Sequence, residues 1–187
     1  MIPLTSLWLS ILLAAIFTQI AGVILRVAFK HHNKDWKGPF PDEAGFRANA
    51  QKTGLAPGQY AVPHCADMKQ MNSPDMQQKM KDGPVAVITV GHPGLFKMGP
   101  HMGQQFAFHL VVSILVAYVG AVTLGTGALY LNVFQVTGTA AILAYAAANV
   151  PGSIWFFKPW DVLWRELFDG IVLGLVTAGA FGAFWPR

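Results

Sequence analysis

Apolar residues fall along this chain in long unbroken runs, separated by one long stretch of mixed character. No charged side chain occurs over residues 1–25, 98–157 or 170–186. A helix needs about 20 apolar residues, at ~1.5 Å each, to cross ~30 Å of hydrocarbon. The first run predicts one spanning helix over 2–25. The second is too long for a single crossing and divides at Gly125-Thr126-Gly127, where glycines punctuate the pattern. It predicts helices over 106–124 and 131–150 joined by a tight hairpin. The third run predicts a helix over 167–185, preceded by an interfacial aromatic segment, 151–166. The expected fold is therefore membrane all-α: a four-transmembrane-helix bundle with a small α+β cytoplasmic insertion between helices 1 and 2. Its divisions are a first helical segment at 1–29, the insertion at 30–105 and the remaining three helices within 106–187.

Within the insertion the periodicity changes. Pro41-Asp42-Glu43 opens a short helix that should end near Gly54, its acids placed favourably at the N-terminus. Residues 59–63 and 84–90 (PVAVITV) read as strands, the second rich in β-branched side chains. Ser73-Pro74-Asp75 combines an N-cap with proline at the first helical position, and Gly83 supplies the stop. A β–α–β or hairpin-like subdomain follows from that order. At its size it is marginal without the helices to lean on.

Composition agrees with a bilayer environment: 53% of the 187 residues are hydrophobic, 12% are charged and mean hydropathy is +0.43. A soluble domain of this length needs more polar surface, because a small sphere exposes much of its area. The net charge of +4 is placed unevenly. Arg26, Lys30, Lys34, Lys37, Lys97, Lys158 and Arg165 flank one face of the spans, and only Arg187 lies at the other. The positive-inside rule then makes 30–105 cytoplasmic and puts both termini outside. Trp8, Tyr130 and Trp185 would anchor the outer level, and Trp36, Trp155, Trp160 and Trp164 the inner. Cations follow the first apolar run rather than precede it, the pattern of an uncleaved anchor. No basic run with interleaved aromatics indicates nucleic acid, so the expected partners are the lipid bilayer and other membrane subunits. The single Cys65 cannot form an internal disulfide.

Small residues four apart allow helices to approach closely in lipid. Gly170, Gly174, Ala178 and Gly182 form an unbroken ridge on the last helix, with shorter ridges at Ala140/Ala144/Ala148, Ser113/Ala117/Ala121 and Ala14/Thr18/Gly22. The ridges can face each other within one chain, or the last can dock another subunit. Polar residues within or at the ends of spans are the first place to look for function. Asp169, Arg165 and Asp161 lie four apart and can stack as an ion ladder. His109, one turn into the second helix, reads as an interfacial imidazole, and His31-His32 beside Lys30 and Lys34 as a headgroup-facing pair.

Six of the seven methionines lie between 68 and 102, next to His64 and Cys65. Imidazole, thiolate and thioether together select soft metals, and His64, Cys65, Met68 and Met71 form the candidate copper set. Methionine also fills irregular gaps, and the set lacks the paired CxxC or HxxH spacing of a strong metal motif. Structural packing therefore leads, and no cofactor is expected beyond that copper alternative.

GTAAILAYAAANVPGSIWFFKPW continuing to FDGIVLGLVTAGAFGAFWP, with the upstream GLAPGQYAVPHCAD, resembles a group of small bacterial four-helix inner-membrane proteins of uncharacterised function. The resemblance covers most of the chain. It implies a bacterial inner membrane and a four-helix arrangement, and it transfers no site residues. The leading functional expectation is a non-enzymatic accessory or assembly subunit of a larger membrane complex. Soft-metal handling through the His/Cys/Met cluster is the alternative. A membrane enzyme comes third, with His64, Cys65, His101 and His109 converging at the inner interface.

Overall fold

The computed structural model describes residues 2–187 and divides into two units. One holds the chain up to Trp36 together with Lys97–Arg187, and the other is Lys37–Phe96. A 3-10 turn at Leu4–Leu7 leads into helix α1 (Trp8–Val27), and a second turn follows at Lys30–Lys34. Helix α2 (Glu43–Lys52), strand β1 (Gly58–Val62), helices α3 (Met68–Met71) and α4 (Pro74–Asp82) and strand β2 (Ala86–Val90) make the middle unit. Helices α5 (Met98–Thr123), α6 (Tyr130–Tyr145), α7 (Val150–Trp155) and α8 (Trp160–Ala183) complete the chain. Four stretches are long and apolar enough to cross a membrane: Leu4–Val27, Met98–Thr123, Tyr130–Trp155 and Trp160–Ala183.

In the helical unit α1 packs on α5 and α8, and α6 packs on α5 and, most extensively, on α8. The four long helices thus close a ring. Its interior is built from small and hydroxylated residues: Ser10, Ala14, Ala15 and Thr18 of α1, Ser113, Ala117 and Ala121 of α5, Thr137, Gly138 and Ala141 of α6, and Gly170, Gly174, Thr177 and Ala178 of α8 are buried. Its exterior carries large apolar side chains, among them Phe17, Ile20, Val111, Leu115, Leu131, Leu143, Phe168 and Ile171. Water would drive that arrangement the other way round. It suits a solvent as apolar as leucine, in which small residues at the helix contacts supply the packing.

The end of the bundle that carries both termini and the 124–129 turn is closed tightly. Ile2 N–H donates to the Ala121 carbonyl (3.2 Å), Gly127 N–H to the Pro186 carbonyl (2.9 Å) and Trp185 Nε1 to the Gly125 carbonyl (3.0 Å). Gly127 has φ +71°, a left-handed conformation that lets the turn close in few residues. Ser10 Oγ donates to the Phe184 carbonyl (2.6 Å), which ties α1 to the end of α8.

Helix boundaries differ from the sequence expectation in all four spans, and α1 runs Trp8–Val27 after a 3-10 turn rather than 2–25. α5 begins at Met98 rather than at 106, because Pro100 sits in the first turn, where its missing N–H costs no hydrogen bond. α6 stops at Tyr145, and the expected 131–150 helix is broken by a 3-10 turn, Ala147–Asn149, before α7. α8 begins at Trp160 rather than at 167, so most of the expected interfacial segment 151–166 is helical. Its first two turns keep their charges by pairing them: Arg165 Nη2 to Asp161 Oδ2 (2.7 Å) and Lys158 Nζ to Glu166 Oε2 (2.5 Å).

In the Lys37–Phe96 unit β1 and β2 pair antiparallel, from Gly58↔Val90 to Val62↔Ala86. The hairpin-like alternative holds and the parallel crossover does not. Side-chain caps set the helices: Asp42 accepts from Gly45 N–H, Asp67 from Gln70 N–H and Ser73 from Met76 N–H. Gly83 ends α4 at φ +63°, and Met76 is the one large side chain buried in this unit among the described residues.

Candidate functional site

Polar side chains inside the helical unit gather at the end opposite the termini. The break after α6 begins the site. Asn149 Nδ2 donates to the Tyr145 carbonyl (2.9 Å), taking over an acceptor that the interrupted helix leaves without its usual backbone partner. That stretch of backbone approaches α8 so closely that only glycine fits opposite it. A Cβ built on Gly170 would lie 2.7 Å from the Tyr145 carbonyl carbon and oxygen and from Ala146 Cα. The Tyr145 hydroxyl faces His109 Nδ1 at 3.2 Å, and Gln105 Nε2 lies 3.2 Å from His109 Nε2. His109 is only 1% exposed. The sequence reading of an interfacial, snorkelling imidazole is corrected: α5 starts two turns earlier than expected, which carries His109 inside the ring.

A second cluster is organised around Asp169, 6% exposed on α8. Its Oδ1 accepts from His31 Nε2 (2.8 Å) and its Oδ2 from His32 Nε2 (2.7 Å), while Arg26 Nε lies 3.8 Å away. His32 Nδ1 lies 2.5 Å from Asp35 Oδ2, and Arg165 Nε donates to Asp35 Oδ1 (2.7 Å). Both ring nitrogens of His32 therefore face carboxylates, and both can donate only when the ring is the imidazolium. Partial burial works to raise the Asp35 carboxyl, but hydrogen bonds from His32 and Arg165, with their charge, outweigh it and hold Asp35 below the ordinary carboxylate range. Two expectations are corrected here. His31 and His32 turn inward instead of facing headgroups, because the Lys30–Lys34 turn folds them onto α8. The ion ladder stops at Arg165–Asp161, because Asp35 takes the second face of the guanidinium and the histidines take Asp169.

Between the two clusters lies a cavity of about 660 Å³. Val23, Val27, Met98, Met102, Phe108 and Leu173 give it apolar walls. Gln19, Arg26, His109, Asn149, Glu166 and Asp169 also line it. Gln19 Nε2 reaches the Met102 sulfur at 3.9 Å, whereas its Oε1 is buried with no hydrogen-bond partner. A buried acceptor without a donor costs about 1–3 kcal/mol, and Gln19 Oε1, itself inaccessible, does not open onto the cavity.

The expected site residues are distributed as follows. His64, Cys65, Met68 and Met71 belong to the Lys37–Phe96 unit; His64 and Met68 are exposed, and the Cys65 thiol donates to the Asp67 carbonyl (3.0 Å). Of the histidines expected to converge, His109 lines the cavity, and exposed His101 is on α5 outside its lining. Gly170, Gly174, Ala178 and Gly182 run along the α6–α8 contact: Gly170 meets Tyr145 and Ala146, Gly174 meets Ile142, Ala178 meets Gly138, and Gly182 meets the Tyr130 ring. Among the described residues, the only group of three or more His, Cys, Asp or Glu side chains able to share a metal ion is His31, His32 and Asp169. The sequence carried a signal for it: adjacent histidines one turn beyond a span, and the one acid able to enter a span. No protein-family model matches this chain, and neither a curated protein nor a solved structure does.

Proposed function

We propose that this chain is a multi-pass protein of the bacterial inner membrane, with 30–105 cytoplasmic, that holds an amphipathic small molecule inside its helical ring. The inside-out distribution of large and small side chains and the cations that flank one end of the spans support the placement. One observation carries the binding reading: the 660 Å³ cavity has apolar walls and a converging set of polar groups. Ligand sites typically have volumes of about 300–1,000 Å³ with that mix of surfaces. Arg26 and Asp169 put the polar end of the ligand near the headgroup level. The small-residue ridge of α8 is taken up by α6 of the same chain, so it gives no support to docking on another subunit. An accessory role in a larger complex would have to use a different face.

Organic extraction of protein purified in mild detergent tests this reading. About one equivalent of a discrete amphipathic molecule is expected by mass spectrometry. Gly22→Leu should remove it without unfolding the chain, because Gly22 lines the cavity and a Cβ there meets only Leu173 Cδ2, at 3.9 Å. Wild-type protein that carries no stoichiometric ligand, and shows no saturable uptake of a fluorescent fatty acid above empty micelles, would sink the proposal.

A further inference from the structure

The Asp169 cluster has a second feature that hydrogen bonding alone does not require. His31 Nε2, His32 Nε2 and a carboxylate oxygen of Asp169 all lie within 4.8 Å of one another. First-row divalent ions bind nitrogen and oxygen at about 2.0–2.2 Å, which puts two ligands on one ion ~3.3 Å apart. The nitrogens now stand 2.8 and 2.7 Å from the carboxylate. An opening of about half an ångström converts the shared protons into a shared metal.

The surroundings of His32 point the same way. A metal-binding imidazole characteristically donates its other N–H to a carboxylate, which fixes the tautomer and aims the free nitrogen. Asp35 Oδ2 stands 2.5 Å from His32 Nδ1, and Arg165 holds Asp35 from behind at 2.7 Å. That leaves Nε2 directed at Asp169. The side chains of His32 and Asp169 are each 9% exposed, whereas His31 is 24% exposed and borders a second hollow of about 520 Å³ through which an ion can enter. From this geometry we infer that His31, His32 and Asp169 form a binding site for a divalent first-row transition metal, with Asp35 as its positioning residue.

The donor set limits the choice of ion. Two imidazoles and one carboxylate are borderline to hard donors that suit Zn²⁺, Co²⁺, Fe²⁺ or Mn²⁺ and lack the thiolate or thioether that selects Cu(I). Three protein ligands leave at least one coordination position for water or another small ligand. Arg26, 3.8 Å from Asp169, is the competing cation; with its side chain 56% exposed it can swing to solvent.

The test uses tag-free, full-length protein in detergent, stripped with a chelator and titrated with Co²⁺ and then Zn²⁺. One equivalent of Co²⁺ should bind, giving ligand-field absorption that Zn²⁺ abolishes. His31→Ala and His32→Ala should each eliminate the spectrum. Asp35→Asn should keep a spectrum while weakening affinity by about 10- to 100-fold. His92→Ala, in the other unit, should change nothing. Circular dichroism separates loss of binding from loss of fold, and His31→Ala, at the most exposed ligand, is the variant least exposed to that confusion. The inference is overturned if folded wild-type protein binds no Co²⁺ saturably, or if Co²⁺ binding survives His31→Ala and disappears with Cys65→Ser. Unchanged affinity in Asp35→Asn would overturn the positioning role. Ligand extraction tests the cavity and metal titration tests this site, so either can fail without the other.

Discussion

The close approach of α6 and α8 makes Gly170→Ala the sharpest test of the packing. The added methyl would lie 2.7 Å from three backbone atoms, at Tyr145 and Ala146. Non-bonded carbon atoms rest at about 3.5–4.0 Å. Backbone cannot rotate out of the way as a side chain can, so the two helices must separate locally by about 1 Å. A gap of that size forfeits about a quarter to a half of each contact's dispersion energy along the seam, and overpacking of this kind costs about 1–3 kcal/mol. The unfolding equilibrium should then shift by about 5- to 150-fold. Reversible unfolding in mixed detergent micelles containing increasing SDS, followed by circular dichroism, measures it. The internal comparison is Gly179→Ala on the same helix, where a Cβ meets nothing within 4 Å. That variant should be neutral, or stabilising by up to about 1 kcal/mol through helix propensity. Gly182→Ala should fall between the two, because its obstacle is the Tyr130 ring, which can swing aside. If Gly170→Ala unfolds at the wild-type SDS fraction, or Gly179→Ala is equally damaging, the close α6–α8 seam is refuted.

Three further outcomes follow from named contacts. Thr18 Oγ1 and Thr177 Oγ1 lie 3.0 Å apart in the buried core, and Thr177 also donates to the Leu173 carbonyl (2.9 Å). Thr18→Val should therefore cost only about 0.6 kcal/mol, and Thr177→Val more, because it removes both the contact to Thr18 and the bond to the Leu173 carbonyl; a double-mutant cycle by SDS titration measures the difference. Trp185→Phe keeps the ring packing but loses the bond to the Gly125 carbonyl, for an expected loss of about 0.5–1.5 kcal/mol, whereas Trp185→Ala should cost about 3–5 kcal/mol by opening a cavity. At the other end Arg165→Ala should lower the melting temperature more than Arg165→Lys, because the guanidinium reaches Asp35 and Asp161 through separate nitrogens. Asp161→Asn, at an exposed partner, should have little effect on thermal unfolding.

Elements with local causes were legible in the sequence. Charge-free runs gave the four long apolar helices, because the length of an apolar run is itself the signal. Ser73-Pro74 and Gly83 fixed α4, and Asp42 fixed the start of α2, because capping is decided within four residues. What escaped was set at a distance. The break after Tyr145 has no proline or glycine at its point of interruption; its freed carbonyl is met by a side chain four residues on and accommodated by Gly170 on another helix. Asp169 reads from sequence as a partner for Arg165 at i−4, and only the fold shows that His31 and His32, more than 130 residues away, outcompete it. The conspicuous His64–Met71 cluster and the His31-His32 pair, read from sequence as headgroup-facing, differ in the same way. The first is dense in sequence, and its residues are spread over an exposed loop and a four-residue helix. The second is sparse in sequence and converges because a helix end folds it back.

The two ends of the bundle hold their helices by different means, and that difference explains why space remains at one of them. At the end with the termini, Trp185, Phe181 and Leu7 fill the ring with apolar bulk, and backbone hydrogen bonds close it over. At the other end the ring carries His109, Tyr145 and Asp169, none of which can be packed against hydrocarbon without a partner. Partners on other elements meet two of them: Tyr145 of α6 for His109, and the Lys30–Lys34 turn for Asp169. Satisfying them fixes the helix ends at a separation that small apolar residues alone would not maintain. Gly22 then leaves the intervening volume open rather than filling it. Collapse of the cavity would require α1 and α5 to move against hydrogen bonds already made, at about 1 kcal/mol or more for each one broken. The cavity is therefore the volume that the polar contacts hold open, and its contents are decided by the groups that line it.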